Sequence, residues 1–263
     1  MKSALHLLSL SYPMWLDACP MWLDAPRRYS RLWYSRLTSS FAWLGLSILT
    51  LLVSPANYVL SEDKPKDKAL ESGFVAIFDG KTLDGWEGNL EHFRIEQGAI
   101  VAGSLKKKIP NNEFLCTKRS YGDFELRLEV KLQGEGNNAG VQFRSARIPG
   151  DHEVSGYQCD VGEAWGRPVW GGLYDESRRN KMLAEGPADC LPKWVKEGGW
   201  NELWIRAVGD KIALFVNGHP TVEYTEPDAE ISRSGIIGLQ IHSGPPTEAW
   251  YRKIRIRVVG SNN

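Results

Sequence analysis

Phe124-Glu-Leu-Arg-Leu-Glu-Val-Lys-Leu132 sets apolar side chains on its even positions and charged ones on its odd positions. That period of two describes a strand with one face in a core and one in water. The same pattern recurs at Leu203 to Val208, at Lys211 to Val216, and at Lys253 to Val259, where Ile254, Ile256 and Val258 are expected inside and Arg255 and Arg257 outside. Asn217-Gly218 supplies the positive-φ pair of a tight hairpin turn, and Thr221 to Tyr224 returns. No comparable helical periodicity follows residue 70. The sequence is therefore read as all-β, with two antiparallel sheets packed face to face.

A second group of strands carries hydrogen-bonding side chains on its outer face. Val141 to Ser145 pairs Gln142 with Arg144, Tyr157 to Val161 pairs Gln158 with Asp160, and Ile237 to Ile241 leads from Gln240 to His242. Residues two apart point the same way, so these six side chains are expected to converge on one concave polar face. Trp165, Trp170 and Trp250 are expected to rim it, while Trp86, Trp200 and Trp204 read as core or edge packing. A polar face rimmed by aromatic rings suits a hydroxyl-rich ligand such as a sugar.

The chain has 263 residues, with 32 basic and 32 acidic side chains. Residues 1–61 hold five of the basic and two of the acidic ones, which leaves the remainder mildly acidic. A domain of that charge has no general attraction for nucleic acid or anionic lipid. Within the leader, Phe41 to Val53 is an uncharged run of 13 residues preceded by Arg27, Arg28, Arg31 and Arg36. That is the layout of a secretory signal, shorter than the ~20 residues of a spanning helix; an uncleaved anchor is the alternative. PMWLDA occurs twice, at Pro13 to Ala18 and Pro20 to Ala25, which points to Met21 as the start. The domain boundaries expected are a leader at 1–61, a charged linker at 62–72 and one sandwich domain at 73–260. Cys116, Cys159 and Cys190 match no zinc spacing and read as small buried or half-buried thiols with at most one disulfide.

Gln158-Cys-Asp-Val-Gly-Glu163 is similar to the Glu-x-Asp-x-x-Glu strand motif of the sandwich glycosidases, with an amide where the nucleophile belongs. Double displacement through two carboxylates is not available from that motif. A broader set of segments resembles the 3-keto-disaccharide hydrolase domain family: Gly73-Phe-Val-Ala-Ile-Phe-Asp-Gly-Lys-Thr-Leu-Asp-Gly-Trp86, Tyr121-Gly-Asp-Phe-Glu125, Asn138-Ala-Gly-Val-Gln-Phe-Arg144, Gly156-Tyr-Gln158, Gly172-Leu-Tyr174, Trp200-Asn201, Asn217-Gly218 and Gly235-Ile-Ile-Gly-Leu-Gln-Ile-His242. Ala139 stands where that family often has Ser, and the loop Gly162 to Arg179 looks particular to a subgroup.

The resemblance implies a concanavalin A-like jelly-roll sandwich that cleaves glycosides already oxidised at C3 by a separate oxidoreductase. A C3 ketone acidifies the C2 proton, so a base can remove it, the aglycone leaves from C1, and water adds afterwards. On that reading His242 or Asp160 is the base, Arg144 and Gln158 are donors to the oxyanion, and Glu163 is the acid. Gln142, Tyr174, Gln240, Trp165 and Trp170 contact the sugar. A divalent cation is the alternative electrophile to Arg144, although no spacing is specific to a metal. A non-catalytic carbohydrate-binding module on the same sandwich is the alternative function.

The leader reading predicts export, with a mature N-terminus between about residues 54 and 63. Terminal sequencing of the native protein checks this; a chain still carrying residues 41–53 indicates an anchor instead.

Overall fold

The alternation at Phe124 becomes an eleven-residue strand at the centre of a sheet, with Phe124, Leu126, Leu128 and Val130 wholly buried. The computed structural model describes residues 73–260; the leader and the linker at 62–72 lie outside the described residues. In chain order the strands are β1 (Val75–Ala76), β2 (Trp86–Glu87), β3 (Phe93–Glu96), β4 (Ala99–Ser104), β5 (Glu113–Thr117), β6 (Phe124–Gly134), β7 (Asn138–Arg147) and β8 (Val154–Ala164). They continue with β9 (Arg167–Pro168), β10 (Leu173–Glu176), β11 (Lys181–Ala184), β12 (Asn201–Val208), β13 (Lys211–Val216), β14 (His219–Thr225), β15 (Ile236–Ile241) and β16 (Thr247–Val258). Among the described residues, one short helix, Leu191–Trp194, interrupts them.

These strands form two antiparallel sheets. The first runs β14-β13-β12-β6-β16-β4-β3 with β1 beside β16; the second runs β11-β10-β8-β7-β15-β5-β2 with β9 beside β8. The expected hairpin is present: Asn217 and Gly218 have φ of 50° and 84°, and β13 pairs with β14 across them. The core lies between the inner faces. Val141, Phe143, Tyr157, Cys159, Leu239 and Ile241 of the second sheet meet the even-numbered row of β6 there. Phe143 stacks on Tyr157 at 5.6 Å between centroids and takes Phe124 edge-on at 6.4 Å, the offset and T-shaped arrangements that ring quadrupoles favour. Tyr251 of β16 crosses the core, and its hydroxyl donates to the backbone carbonyl of Gln240 at 2.6 Å. Cys116 and Cys159 are buried free thiols.

Three sequence expectations are corrected here. Val258 is half exposed, because it is the last residue of β16 and lies past the core that covers Ile254 and Ile256. Trp250 is not in a loop near the polar strands; it is buried on β16 of the first sheet, with the Lys131 ammonium 4.4 Å from its ring centroid. The largest correction concerns Arg144. The β7–β8 register shifts between Phe143 and Ala146, and Arg144 takes a φ of 47°. Such a bulge breaks strict alternation. The side chain turns away from the row of Gln142 and is buried against the first sheet, donating to the carbonyls of Gly122 and Gly209 at 3.0 and 2.8 Å and to Asp123 at 2.8 Å.

Arg144 is thus a tie between sheets. Arg144→Met is expected to destabilise the domain by about 2–4 kcal/mol, because it removes three hydrogen bonds donated by a largely buried cation. Chemical denaturation of the variant checks this, and a loss below ~0.5 kcal/mol contradicts the role.

Candidate active site

Strands β15, β7, β8 and β10 are neighbours in the second sheet, and their outward-facing positions build a short polar relay. Ser145 Oγ donates to Gln142 Oε1, Gln142 Nε2 to Gln158 Oε1, and Gln158 Nε2 to Asp160 Oδ1, each at 2.8 Å. All four residues are buried. The side chain of Gln158 passes over the backbone of β7 where Gly140 leaves room: a Cβ there would lie 2.3 Å from Gln158 Cδ.

The relay ends at a cleft of about 100 Å³ lined by Asn112, Asn138, Gln158, Asp160, Ala164, Trp165, Tyr174, Glu176 and His242. Burial pushes the Asp160 carboxyl up to about 7; the Gln158 hydrogen bond opposes this, and the charge of Glu176 adds to it. Glu176 is also pushed up to about 7, first by burial and then by the charge of Glu153, while a hydrogen bond from Gln240 opposes the rise. Both carboxyls thus exchange protons near neutral pH. His242 is exposed, and its Nδ1 lies 2.6 Å from the Ser243 carbonyl. A carbonyl only accepts, so Nδ1 carries a proton and Nε2 of the neutral ring is an acceptor.

Glu176 was not among the residues singled out in the sequence. In Leu173-Tyr174-Asp175-Glu176 two adjacent acids hide the alternation, yet Tyr174 and Glu176 are two apart and share a face. Asp175 takes the opposite face. It is buried there and neutralised by Arg178 at 2.9 Å and by Arg179, which also pairs with Glu226 at 2.8 Å. That clamp fixes the strand end and so aims Glu176 into the cleft. Asn112 and Asn138 were likewise not assigned to the site, because single asparagines carry no periodic signal.

Of the residues singled out, Gln158, Asp160, Trp165, Tyr174 and His242 line this cleft. Gln142 and Gln240 do not reach its wall: both are fully buried behind it, Gln142 in the relay and Gln240 donating to Glu176 at 3.4 Å. Arg144, Glu163 and Trp170 lie outside it. Glu163 shares the odd, core-facing row of β8 with Cys159 and Val161, so it lies on the opposite face from Asp160 and turns to a separate cavity of about 260 Å³ lined also by Trp170, Leu132 and Leu191. Trp170 is buried in the core. The larger cavity has no buried acid pair, so the smaller cleft is the candidate site. Among the described residues, no three His, Cys, Asp or Glu side chains are grouped to hold a metal ion.

The profile of a family described as a 3-keto-alpha-glucoside-1,2-lyase-like domain matches residues 73–257. The chain is 22% identical over 233 residues to a 3-keto-disaccharide hydrolase of Bacteroides thetaiotaomicron, covering 71% of this chain and 79% of that protein. Among solved structures, a provisionally named glycosyl hydrolase from Parabacteroides distasonis superposes with a TM-score of 0.53 at 17% identity, over 72% of this chain and 94% of its own. A Bacillus subtilis protein of unknown function with a galectin-like fold gives 0.50 at 11% identity, over 67% and 90%. At these identities the two structures establish the sandwich fold alone.

A carboxyl whose pKa is raised on folding costs stability as pH climbs from its unfolded value, ~3.9 for Asp, to its folded one. Asp160→Asn is therefore expected to match the wild type near pH 4 and to exceed it above pH 7 by on the order of 4 kcal/mol. Thermal melts across that range check the sign; a difference independent of pH means that Asp160 is not desolvated.

Proposed function

Because the chain belongs to the 3-keto-alpha-glucoside-1,2-lyase-like domain family, we propose that its cleft cleaves 3-keto-glycosides by proton removal at C2. The observation that carries this reading is the carboxyl pair of Asp160 and Glu176, both held near neutrality in a cleft whose other polar walls are amides, a phenol and one imidazole. A group with pKa near 7 is matched to moving protons to and from a ketone-activated carbon. Asp160, oriented by the amide relay, takes the C2 proton. The electron pair of the C2–H bond forms the C1–C2 double bond while the C1–O bond breaks. Glu176, protonated, gives its proton to the departing oxygen, the part the sequence had suggested for Glu163. Water then adds at C1 and C2 regains a proton, so the net change is hydrolysis. His242 stands at the mouth with Nε2 free to accept from a sugar hydroxyl or from the entering water. Asn112 and Asn138 supply neutral donors to the C3 oxygen in place of Arg144.

The rest of the reading follows the same chemistry. A separate oxidoreductase must install the ketone, and the leader at residues 1–61 supports export of the domain to where such sugars arise.

The test is to offer the domain one glycoside in its ordinary and its 3-keto form, in deuterated water. We expect the ordinary form to be inert and the 3-keto form to yield a product carrying deuterium at C2. Activity should follow a bell centred near pH 7, and Asp160→Asn should lower turnover ~10²–10⁴-fold. Cleavage of both forms at similar rates, or retention of the original C2 hydrogen, refutes proton removal. Binding of the 3-keto sugar without turnover assigns the domain instead to the carbohydrate-binding modules.

A further inference from the structure

Trp165 is the most solvent-exposed of the exposed large apolar side chains among the described residues, at 64%. It also sits where a tryptophan is least at home. β8 and β9 pair through Ala164 and Arg167, so Trp165 and Gly166 are the two residues of a tight hairpin turn, with φ of 51° and 73°. Both central positions of such a turn need the left-handed region, which suits Asn, Asp or Gly and penalises a bulky side chain. Left mostly wet and in a disfavoured backbone conformation, the indole buries little surface for the fold. What it does is line the cleft, with its ring 6.0 Å from Tyr174. The Arg167 guanidinium stands 5.4 Å from the indole centroid and is itself paired with Glu185. This contact restrains the orientation of the exposed ring.

The cleft measures about 100 Å³, well below the ~300–1,000 Å³ that encloses a drug-sized ligand whole. A ligand larger than one sugar ring must leave its remainder at the rim. We propose that Trp165, held by Arg167 and flanked by Tyr174, is a stacking platform for the leaving group, so that the substrates are 3-keto-glycosides whose aglycone presents a ring face. A second pyranose, through its axial C–H bonds, and an aryl group, through its π face, offer that same chemistry to an indole. The proposal rests on the assignment of the cleft to 3-keto-glycosides, and the experiment separates the two.

The probes are the methyl, phenyl and glucosyl 3-keto-α-glucosides, given to the wild type and to Trp165→Asn, which restores a residue that the turn favours. We expect the preference in kcat/KM for phenyl or glucosyl over methyl to fall about tenfold in the variant, through KM rather than kcat. A loss confined to phenyl or to glucosyl identifies which ring the platform takes. A preference that survives substitution, or an equal loss on all three probes, overturns the proposal. If the wild type turns over none of them, the assignment of the cleft fails. Calorimetric titration with the unoxidised phenyl and methyl α-glucosides then decides the platform alone: a phenyl preference lost in the variant supports it, and equal binding by the two proteins refutes it. Thermal melts of the variant show whether the turn is intact.

Discussion

The site depends on Gln158 lying across the bare backbone of Gly140. Asp160 is buried, and a buried carboxylate needs fixed donors to replace water. Its side-chain donor is Gln158 Nε2, and the side chain that carries this amide occupies the room a Cβ at Gly140 would take. The polarity of the relay then follows without choice. A carboxylate accepts, so Gln158 presents its N–H groups to it and turns its oxygen to Gln142; Gln142 does the same, and Ser145 ends the line. Gly156 plays the second supporting part, since a Cβ there would lie 2.4 Å from Ser145 Oγ. Two glycines on adjacent strands thus leave space for the two ends of one chain of hydrogen bonds.

The bulge at Phe143 to Ala146 bears on the electrostatics of the cleft as much as on the fold. Strict alternation would set Arg144 beside Gln142 and bring a guanidinium to the polar face. A cation within ~4–6 Å favours the ionised carboxylate and lowers its pKa by 1–3 units. Asp160 would then be held as a permanent anion, unsuited to proton transfer at neutral pH. Instead the bulge sends Arg144 to Asp123 and the carbonyls of Gly122 and Gly209, and the relay ends in the neutral hydroxyl of Ser145. The same backbone irregularity ties the sheets together and keeps positive charge away from Asp160.

This contrast shows where the sequence is legible. Period-two alternation locates β6, β12, β13 and β15 within a residue or two, because one face of each strand is buried and a slip would expose it. It places Asp160 and Gln158 in the cleft for the same reason, whereas Tyr174 is legible only through the family resemblance. It fails at Arg144 and Val258, where a bulge and a strand end break the period locally; Glu163 obeys the period, and only the glycosidase-like motif set it beside Asp160. It passes over Glu176, because Asp175 beside it is as acidic and only the pairing with Arg178 and Arg179 decides which of the two faces the core. Such decisions are made by residues distant in sequence, and no local pattern carries them.

The environments of the two acids bear on the kind of reaction the cleft suits. A retaining glycosidase sets its carboxyls apart, one kept ionised as nucleophile and one kept protonated as acid, by giving them unlike surroundings. Here burial raises both to about 7 and no cation separates them. Neither is a low-pKa nucleophile, and each can take or return a proton at neutral pH with little driving force lost in either direction. Elimination followed by hydration makes that demand, since the proton lost from C2 in the first half must be restored in the second and the acid that releases the leaving group must next act as base toward water. A symmetric pair can exchange parts between the halves. A pair with divided pKa values would run one half well and the other poorly.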